Sequence, residues 1–325
     1  MNRYILILSS ILVLSTCSEE KSENRQYVKI PGAENSLRIV VYNSDAAEVL
    51  AAIDAMDMVV GTCEFKKDLV HSSYLEGLPI VGHWKSPNIE AIVELHPDIV
   101  IAYDKWPSKE KLENKLDKFG ISVRRIPCYR VATILDDVRQ LGEITGRKKE
   151  AELYMKFIRR YLDLLKTKTG TITLKQSLYF ESSDFIALSA GSGADEVIDL
   201  VNLRNVAGDL SIPYPKISTE WLMEAKPGHI AKIIYSEDPS EEHFNALVNR
   251  PAWDKLEAVM NNNVYLISNK ISTGPRSFIG ALYLAERCYP AIFSDINANE
   301  IHKEYCENFF NKTPDKVFTY DQKKD

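Results

Sequence analysis

This 325-residue chain lacks an excess of basic residues, since it carries 40 Lys and Arg against 46 Asp and Glu. The formal charge of −6, with no cluster of basic and aromatic residues, argues against a nucleic-acid-binding surface. Hydrophobic residues make up 45% of the sequence, which excludes a disordered chain. A chain of this length can bury a sizeable core and is expected to form about two domains.

Compact catalytic motifs are also missing from the sequence. It contains no G-x-x-x-x-G-K-S/T, G-x-G-x-x-G, H-E-x-x-H or G-x-S-x-G motif. The six histidines share no metal-ligand spacing, and the pair Asp136-Asp137 is typical of a helix start rather than of glycosidase carboxylates. We therefore predict that the protein is not an enzyme and has no catalytic residues, no cofactor and no resident metal site.

Cysteines are few and widely spaced. Apart from Cys17, they stand at positions 63, 128, 288 and 306, and none forms a C-x-x-C motif, so neither a zinc ribbon nor a redox site is indicated. The ungrouped cysteines also disfavour a two-lobed enzyme of the nitrogenase type, which would need converging thiols for its clusters. We favour burial of Cys63, Cys128, Cys288 and Cys306 as small hydrophobic side chains, although three disulfide pairings remain open.

The first 17 residues are typical of a targeting segment. The apolar run "YILILSSILVL" has 11 residues and is too short to span a bilayer comfortably. Its ending, Leu14-Ser15-Thr16-Cys17, resembles a bacterial lipobox, which implies acylation of Cys17 and lipid anchoring at the periplasmic face of a membrane or at the outer-membrane surface. A plain signal peptide or a membrane anchor is the alternative. Residues 18–36 are polar and predict a flexible tether, and "SEE" after Cys17 resembles a lipoprotein surface-export signal.

From Leu37 onward, strand-like and helix-like segments alternate, and this pattern predicts a parallel α/β lobe over residues 37–145. The run "IVIAY" at 99–103 indicates a strand that is buried on both faces, as in a parallel sheet covered by helices. Before it, Ser86 is expected to cap a helix that has Pro87 in its first turn.

A second lobe is predicted over residues 169–325, after a long linking helix over 146–168. That helix pattern runs for about 20 residues without Gly or Pro. The segment "EWLMEAKP" at 220–227 repeats "EAIVELHP" at 90–97, because its Glu, Glu and Pro recur 130 residues later. We therefore predict an α/β fold of two parallel-sheet lobes joined by one long helix.

Five separated segments carry a resemblance to a known family. They are "GHWKSPNIEAIVELHPDIVIAY", "EITGRKKEAELY", "IPYPKISTEWLMEAKP", "WDKLEAVMNNNVYLIS" and "GPRSFIGALYLAERCYPAIF". In this order they resemble the substrate-binding proteins of ABC importers for iron-siderophores, haem and cobalamin, over nearly all of residues 37–310. The resemblance implies a ligand cleft between the lobes, a monomer, and an ABC permease dimer with its cytoplasmic ATPase as partner. The expected ligand is an iron chelate, either a siderophore or haem; cobalamin is the close alternative, and a surface scaffold or adhesin is a more distant one.

The candidate ligand-binding residues follow predicted strands, because ligands of α/β lobes gather outside the carboxyl ends of the strands. Trp84 and Trp106 would offer flat rings to a macrocycle or aromatic chelate, unless they are packing rings. Trp84 also matches a cleft tryptophan of the cobalamin-binding relatives. Tyr214 lies between two prolines, and Arg276 could pair with a carboxylate or phosphate of the ligand or could tie down its own loop. The weaker candidates are Tyr42, Tyr103 and Tyr129, with His83 or a tyrosine as an iron ligand if the ligand is haem.

Glu90 and Glu220 are candidates for contact with the permease. In the family, acidic residues at these matching places dock onto arginines of the two permease subunits, and a twofold permease dimer would require one equivalent contact from each lobe. The alternative is that each carboxylate only stabilises the N-terminus of its helix.

Overall fold

The computed structural model describes residues 37–64, 72–235, 238–314 and 318–322. The predicted signal segment with Cys17, and the tether over 18–36, lie outside the described residues. Within the described part of the chain, none of the helices combines the length and the hydropathy required to cross a membrane.

The first sheet is built from six strands. They are β1 (Ile39–Tyr42), β2 (Val59–Glu64), β3 (Ile80–His83), β4 (Ser86–Pro87), β5 (Ile99–Ala102) and β6 (Ser122–Arg125). Their order is β4-β3-β2-β1-β5-β6, and the pairs are parallel except that β4 runs antiparallel to β3. The accompanying helices are α1 (Ser44–Ala52), α2 (Ile89–Glu94), α3 (Glu113–Leu116), α4 (Ile134–Thr145) and α5 (Lys148–Thr169).

The second sheet also has six strands. They are β7 (Ser177–Ser183), β8 (Ile186–Ala187), β9 (Arg204–Asn205), β10 (His229–Ile234), β11 (Val264–Ser268) and β12 (Thr319–Asp321). Their order is β12-β11-β10-β7-β8, with β9 paired to β7, and β10 is parallel to both of its neighbours. The helices of this half are α6 (Asp195–Leu200), α7 (Thr219–Ala225), α8 (Glu241–Val248), α9 (Glu257–Met260), α10 (Asn269–Ser272), α11 (Ser277–Cys288) and α12 (Ala298–Phe310).

These two mainly parallel sheets confirm the predicted α/β fold of two lobes. All four residues of β5 are buried, as the apolar run predicts. Between the two sheets the chain forms α5, a helix of 22 residues in which Ala151, Tyr154, Ile158 and Leu165 are buried along one face. This spacing of three to four residues is the pattern of a helix that packs one apolar stripe against a core.

The start of α2 differs from the prediction. Its N-cap is Asn88, whose side chain accepts a hydrogen bond from the backbone N–H of Ala91, and not Ser86. Ser86 and Pro87 instead form β4, because the chain turns back at Trp84 and Lys85 and pairs with β3. That pairing keeps both residues extended, so the helix begins after Asn88, which is a favourable capping residue.

One apolar core joins the two lobes. It includes Val41 of β1 and Phe180 of β7, together with Tyr154 of α5 and Phe278 of α11. The opposite face of each sheet packs into its own smaller cluster. Because the helices between the sheets fill the shared core, the loops at the carboxyl ends of the strands are left to form the walls of a cleft.

Candidate functional site

Trp84 and Trp106 lie together at the rim of the first lobe, after β3 and β5. Their ring centroids are 6.4 Å apart in an edge-to-face arrangement. The Nζ atom of Lys85 lies 4.4 Å from the centroid of Trp84 and 5.4 Å from that of Trp106. His83 is exposed, with its ring 5.7 Å from Trp84. The predicted pair is thus one aromatic cluster with a cation over both rings, and Lys85 is a member that the sequence analysis missed.

The loop that carries Trp106 is held by Arg125. The guanidinium donates to the carbonyls of Tyr103 and Pro107 at 2.7 Å each, and it forms a bidentate ion pair with Glu113 at 2.6 and 2.7 Å. The Trp106 side chain is nonetheless 47% exposed. A fixed loop that leaves a large ring in solvent is suited to binding, because little conformational entropy is lost when a ligand packs on the ring.

Tyr103 and Tyr129 form a second aromatic pair, with centroids 6.1 Å apart. The Tyr103 hydroxyl contacts Ser44 Oγ at 2.6 Å and donates to Asp45 Oδ2 at 3.1 Å, so it is engaged within the lobe. The Tyr129 hydroxyl donates to the Asp104 carboxylate, with 3.1 Å to each oxygen. Burial, followed by the charge of Asp104, raises the pKa of Tyr129 to about 12. Both tyrosines are therefore neutral hydrogen-bonding groups at neutral pH.

Tyr214 lies on the rim of the second lobe and is 52% exposed. Its hydroxyl donates to the carbonyl of Ser192 at 2.9 Å, within the glycine-containing loop that follows β8. A Cβ atom placed on Gly193 of this loop would lie 3.8 Å from the Tyr129 ring. The rims of the two lobes therefore meet at Tyr129 and the glycine loop.

Arg276 is buried and is engaged in an ion pair within the protein. Its side chain is 2% exposed and forms a bidentate ion pair with Glu48 of α1, with Nε 2.7 Å from Oε1 and Nη2 bonded to Oε2. Tyr305 also donates to Glu48 Oε1, at 2.6 Å. This contact between lobes agrees with the alternative role of tying down the loop, so we do not retain Arg276 among the ligand residues.

Tyr42 is buried as well. It is fully inaccessible to solvent, and its hydroxyl donates to the carbonyl of Val81 in β3. The last residue of β1 therefore points into the core between the sheet and α2 rather than into the cleft. We remove Tyr42 from the candidate ligand residues for this reason.

Glu90 and Glu220 are exposed and occupy equivalent places in the first turns of α2 and α7. Ser218 caps α7 by accepting from the backbone N–H of Trp221 at 3.2 Å, as Asn88 caps α2. Trp84 and Tyr214 precede these helices by the same number of residues, so they also correspond between the lobes.

The charged residues Lys232 and Arg250 were missed by the sequence analysis. Lys232 Nζ lies 2.6 Å from Glu181 Oε1, and Arg250 contacts both Glu181 oxygens at 2.9 Å. The Glu181 side chain is fully buried near the carboxyl end of β7. A lysine inside the apolar strand "HIAKII" was the available signal, because a charge at such a position needs a partner.

The four cysteines of the described chain are buried and form no disulfide among the described residues, which confirms the preferred interpretation. No group of three or more His, Cys, Asp and Glu side chains with metal-site geometry occurs among the residues described. A groove of about 510 Å³ lies between the ends of α1 and α12, and none of the predicted ligand residues lines it. We place the candidate site at the cleft rims, because the two aromatic pairs follow the carboxyl ends of β3, β5 and β6 there.

Comparison with known proteins gives the family. The family model described as periplasmic binding protein matches residues 39–271. This chain belongs to the periplasmic binding protein family. Its members are binding proteins rather than enzymes, and this protein is the solute-binding component of an ABC transporter, with a permease as its partner.

Relatives in the periplasmic binding protein family differ in what they bind. The chain is 20% identical to the molybdate-binding protein MolA of Haemophilus influenzae over an alignment of 337 positions, which covers 94% of this chain and 95% of the relative. It is 22% identical to the vitamin B12-binding protein of Vibrio parahaemolyticus over 238 residues, covering 71% and 81%. The structure of a periplasmic haem-binding protein from Pseudomonas aeruginosa superposes with a TM-score of 0.64 at 20% identity, covering 78% of this chain and 93% of that one. The fold is thus shared among proteins that are named for chemically different ligands.

Proposed function

We propose that this solute-binding protein captures an iron chelate, a siderophore or haem, in the cleft between its lobes and delivers it to an ABC permease. The observation that carries the proposal is the Trp84–Trp106 cluster, in which two tryptophan rings and the Lys85 ammonium lie together at one rim. Flat rings bury much area on a planar or aromatic ligand, and the ammonium would pair with a carboxylate or another anionic group of the chelate.

Tyr214, Tyr129 and Tyr103 supply the remaining aromatic lining of the proposed site. Tyr214 stands on the second lobe at the position that corresponds to Trp84, so a large ligand between the lobes would be contacted from both sides. His83 is the candidate axial ligand if the chelate is haem, because its ring is exposed beside Trp84.

Cobalamin is the second candidate ligand. The correspondence of Trp84 and Tyr214 between the lobes favours cobalamin, because two rings at equivalent places would hold a thick macrocycle from two sides. The stretch "GHWKSPN", with Trp84 in the place of a cleft tryptophan of cobalamin-binding relatives, supports the same candidate.

Absorbance and tryptophan-fluorescence titrations separate these candidates. The mature protein is mixed with haemin, cyanocobalamin and ferric siderophores, and we expect a spectral shift or quenching with one class. Trp84→Ala should abolish most of that response. Silence with all three classes would overturn the proposal, and a response to cyanocobalamin alone would replace the iron chelate by the corrinoid.

Two further roles complete the proposed function. Glu90 and Glu220 would dock the lobes onto basic residues of the permease subunits, since both are exposed at equivalent helix starts. Cys17 would carry the lipid anchor that keeps the protein at the cell envelope. We expect the Cys17→Ser variant to be lost from the membrane fraction, and retention there would contradict the anchor.

A further inference from the structure

Asp184 is an exposed carboxylate that lies on two nearly buried cations. It follows β7 directly, and its Oδ1 atom is 2.7 Å from Lys232 Nζ and 2.5 Å from Arg250 Nη2. The Asp184 side chain is 76% exposed, whereas those of Lys232 and Arg250 are 12% and 10% exposed. One carboxylate oxygen therefore covers donors of both cations from the solvent side.

The cations beneath Asp184 carry more charge than the buried part of the cluster neutralises. Glu181 is the buried anion, and its oxygens also accept a hydrogen bond from Tyr179 at 2.9 Å. Two cations and one buried anion leave one positive charge, which Asp184 balances. Hydrogen bonding from Lys232, together with the charges of Lys232 and Arg250, lowers the pKa of Asp184, so this carboxyl is ionised at neutral pH.

The Arg250 guanidinium is held in a fixed orientation. Its Cζ atom lies 4.6 Å from the ring centroid of Phe185 and 4.7 Å from that of Trp253. Stacking on two rings and a bidentate bond to Glu181 leave little freedom to the side chain. The donors that Asp184 covers would therefore stay in place if the carboxylate moved away.

The cluster belongs to the same rim as Tyr214. The turn with Asp184 and Phe185 pairs with the segment that carries Tyr214, through Ala187 N to Pro215 O at 2.9 Å and Ile217 N to Phe185 O at 2.8 Å. On the neighbouring strand end, the Tyr235 hydroxyl contacts Ser182 Oγ at 3.0 Å and its side chain is 47% exposed. Asp184 thus stands where ligands of α/β lobes bind, outside the carboxyl ends of β7 and β10.

We propose that Lys232 and Arg250 form an oxyanion subsite, that Asp184 occupies it in the ligand-free protein, and that a carboxylate or inorganic oxyanion displaces Asp184 on binding. The exchange is favourable in charge, because the incoming anion takes over the same donors while the aspartate carboxylate is hydrated in solvent. The identity of the whole ligand rests on the proposed function, but the subsite can be tested with a free oxyanion.

Asp184→Ala is the decisive variant, because it empties the subsite without touching a buried group. Asp57→Ala is the matched control: Asp57 is also an exposed carboxylate, 60% exposed and paired with Arg147 at 3.1 Å. Each protein is titrated with sodium molybdate by calorimetry at two salt concentrations. We expect Asp184→Ala to bind molybdate about tenfold more tightly than the wild type, with affinity that falls as salt rises, and Asp57→Ala to match the wild type.

Haemin and its dimethyl ester distinguish a free oxyanion from the peripheral carboxylates of a chelate. A gain of affinity in Asp184→Ala for haemin but not for the ester assigns the subsite to ligand carboxylates, and a gain for molybdate alone assigns it to a free oxyanion. In the Asp184→Ala background, Lys232→Gln should cancel either gain.

The outcomes separate this inference from the proposed function. Unchanged or weaker binding of both anions by Asp184→Ala overturns the subsite, whether or not the wild type binds chelates, because a merely structural ion pair would give that result. A gain for molybdate in a protein that binds no chelate would support the subsite and overturn the chelate ligand.

Discussion

The first lobe presents Trp84 and Trp106 at its rim with Lys85 over both rings, whereas the second lobe presents Tyr214 beside the charged cluster of Glu181, Lys232 and Arg250. Both rims are built on the same scaffold. In each lobe an aromatic residue is followed by a helix with a polar N-cap and a glutamate in its first turn. The side chains at the two rims differ, while the construction of the helix starts is the same.

We infer that the repeated positions contact the permease and that the positions that differ contact the ligand. A permease dimer is symmetric and would require the same contact from both lobes, which fits the repeated Glu90 and Glu220. A ligand held between the lobes is not symmetric, so its two sides require different side chains.

Arg276→Ala should give the largest effect, because it breaks the buried contact between the lobes. Glu48 would be left buried without a cation, and we expect the free energy of unfolding to fall by about 3–5 kcal/mol. Urea denaturation followed by circular dichroism measures this loss. The control is Arg130→Ala, since Arg130 also pairs between lobes, with Glu196 at 2.7 Å, but has a side chain 48% exposed. There the loss should be about 0.2–1 kcal/mol, and equal losses in the two variants would contradict the role of burial.

Two buried titratable groups, one in each lobe, should make opposite contributions to the pH dependence of the protein's stability. Burial raises the pKa of Asp45 in the first lobe from 3.8 to about 7, so between these values the folded protein binds more protons than the unfolded chain. Its contribution to stability therefore falls as pH rises. Burial lowers the pKa of His229 in the second lobe from 6.5 to about 4, so in that window the unfolded chain binds more protons and stability rises with pH.

When either group is substituted, the pH dependence of the unfolding free energy should be governed by the remaining group. Asp45→Asn should make stability rise more steeply between about pH 4 and pH 6.5 than in the wild type, and His229→Gln should make it fall, by at most about 1.4 kcal/mol per pH unit. The measurement is the urea unfolding free energy across this range. Identical slopes in both variants and the wild type would show that neither group titrates as its burial indicates.

Trp84→Ala should weaken binding of the cognate chelate by about 1–3 kcal/mol, the loss typical of an aromatic residue at the centre of a binding site. Tyr214→Ala should cost less, because its ring is smaller and its hydroxyl is used within its own lobe. Calorimetric titration of the purified variants gives both values. Leu153→Ala serves as the control, because Leu153 is 64% exposed on α5. Equal affinities in all three variants would remove both rings from the site.

Local patterns made the scaffold predictable from the sequence. The apolar run of β5 and the helical segment of α5, which has no Gly or Pro, are local features of the sequence, and the repeat of 130 residues relates the two lobes without any structure. The error at Ser86 has the same origin, because the pairing of β4 with β3 is not visible in the local pattern.

Pairings across the fold limited the prediction of the site. Arg276 and Glu48 are 228 residues apart in the chain, so the sequence left both roles of the arginine open and did not indicate Glu48 as its partner. Tyr42 ends a buried strand, and only the position of Val81 decides that its hydroxyl points into the core. Lys85 stands between Trp84 and Ser86 in the sequence, yet its position over both tryptophan rings depends on the turn between β3 and β4.

Docking to the permease should show the smallest effect for a single substitution, because exposed ion pairs contribute only about 0.2–1 kcal/mol each. The Glu90→Lys/Glu220→Lys double variant reverses both charges, and like charges that face basic permease residues would oppose docking. We expect uptake of the chelate by cells to fall strongly while the purified variant keeps its affinity, because both carboxylates are exposed and neither belongs to the Trp84–Trp106 cluster. The matched control is Glu94→Lys/Glu224→Lys, which makes the same charge change on the same two helices at their other ends. Normal uptake by the first variant, or an equal loss in both, would refute a specific docking role, and lost chelate affinity would place Glu90 and Glu220 in the ligand site instead.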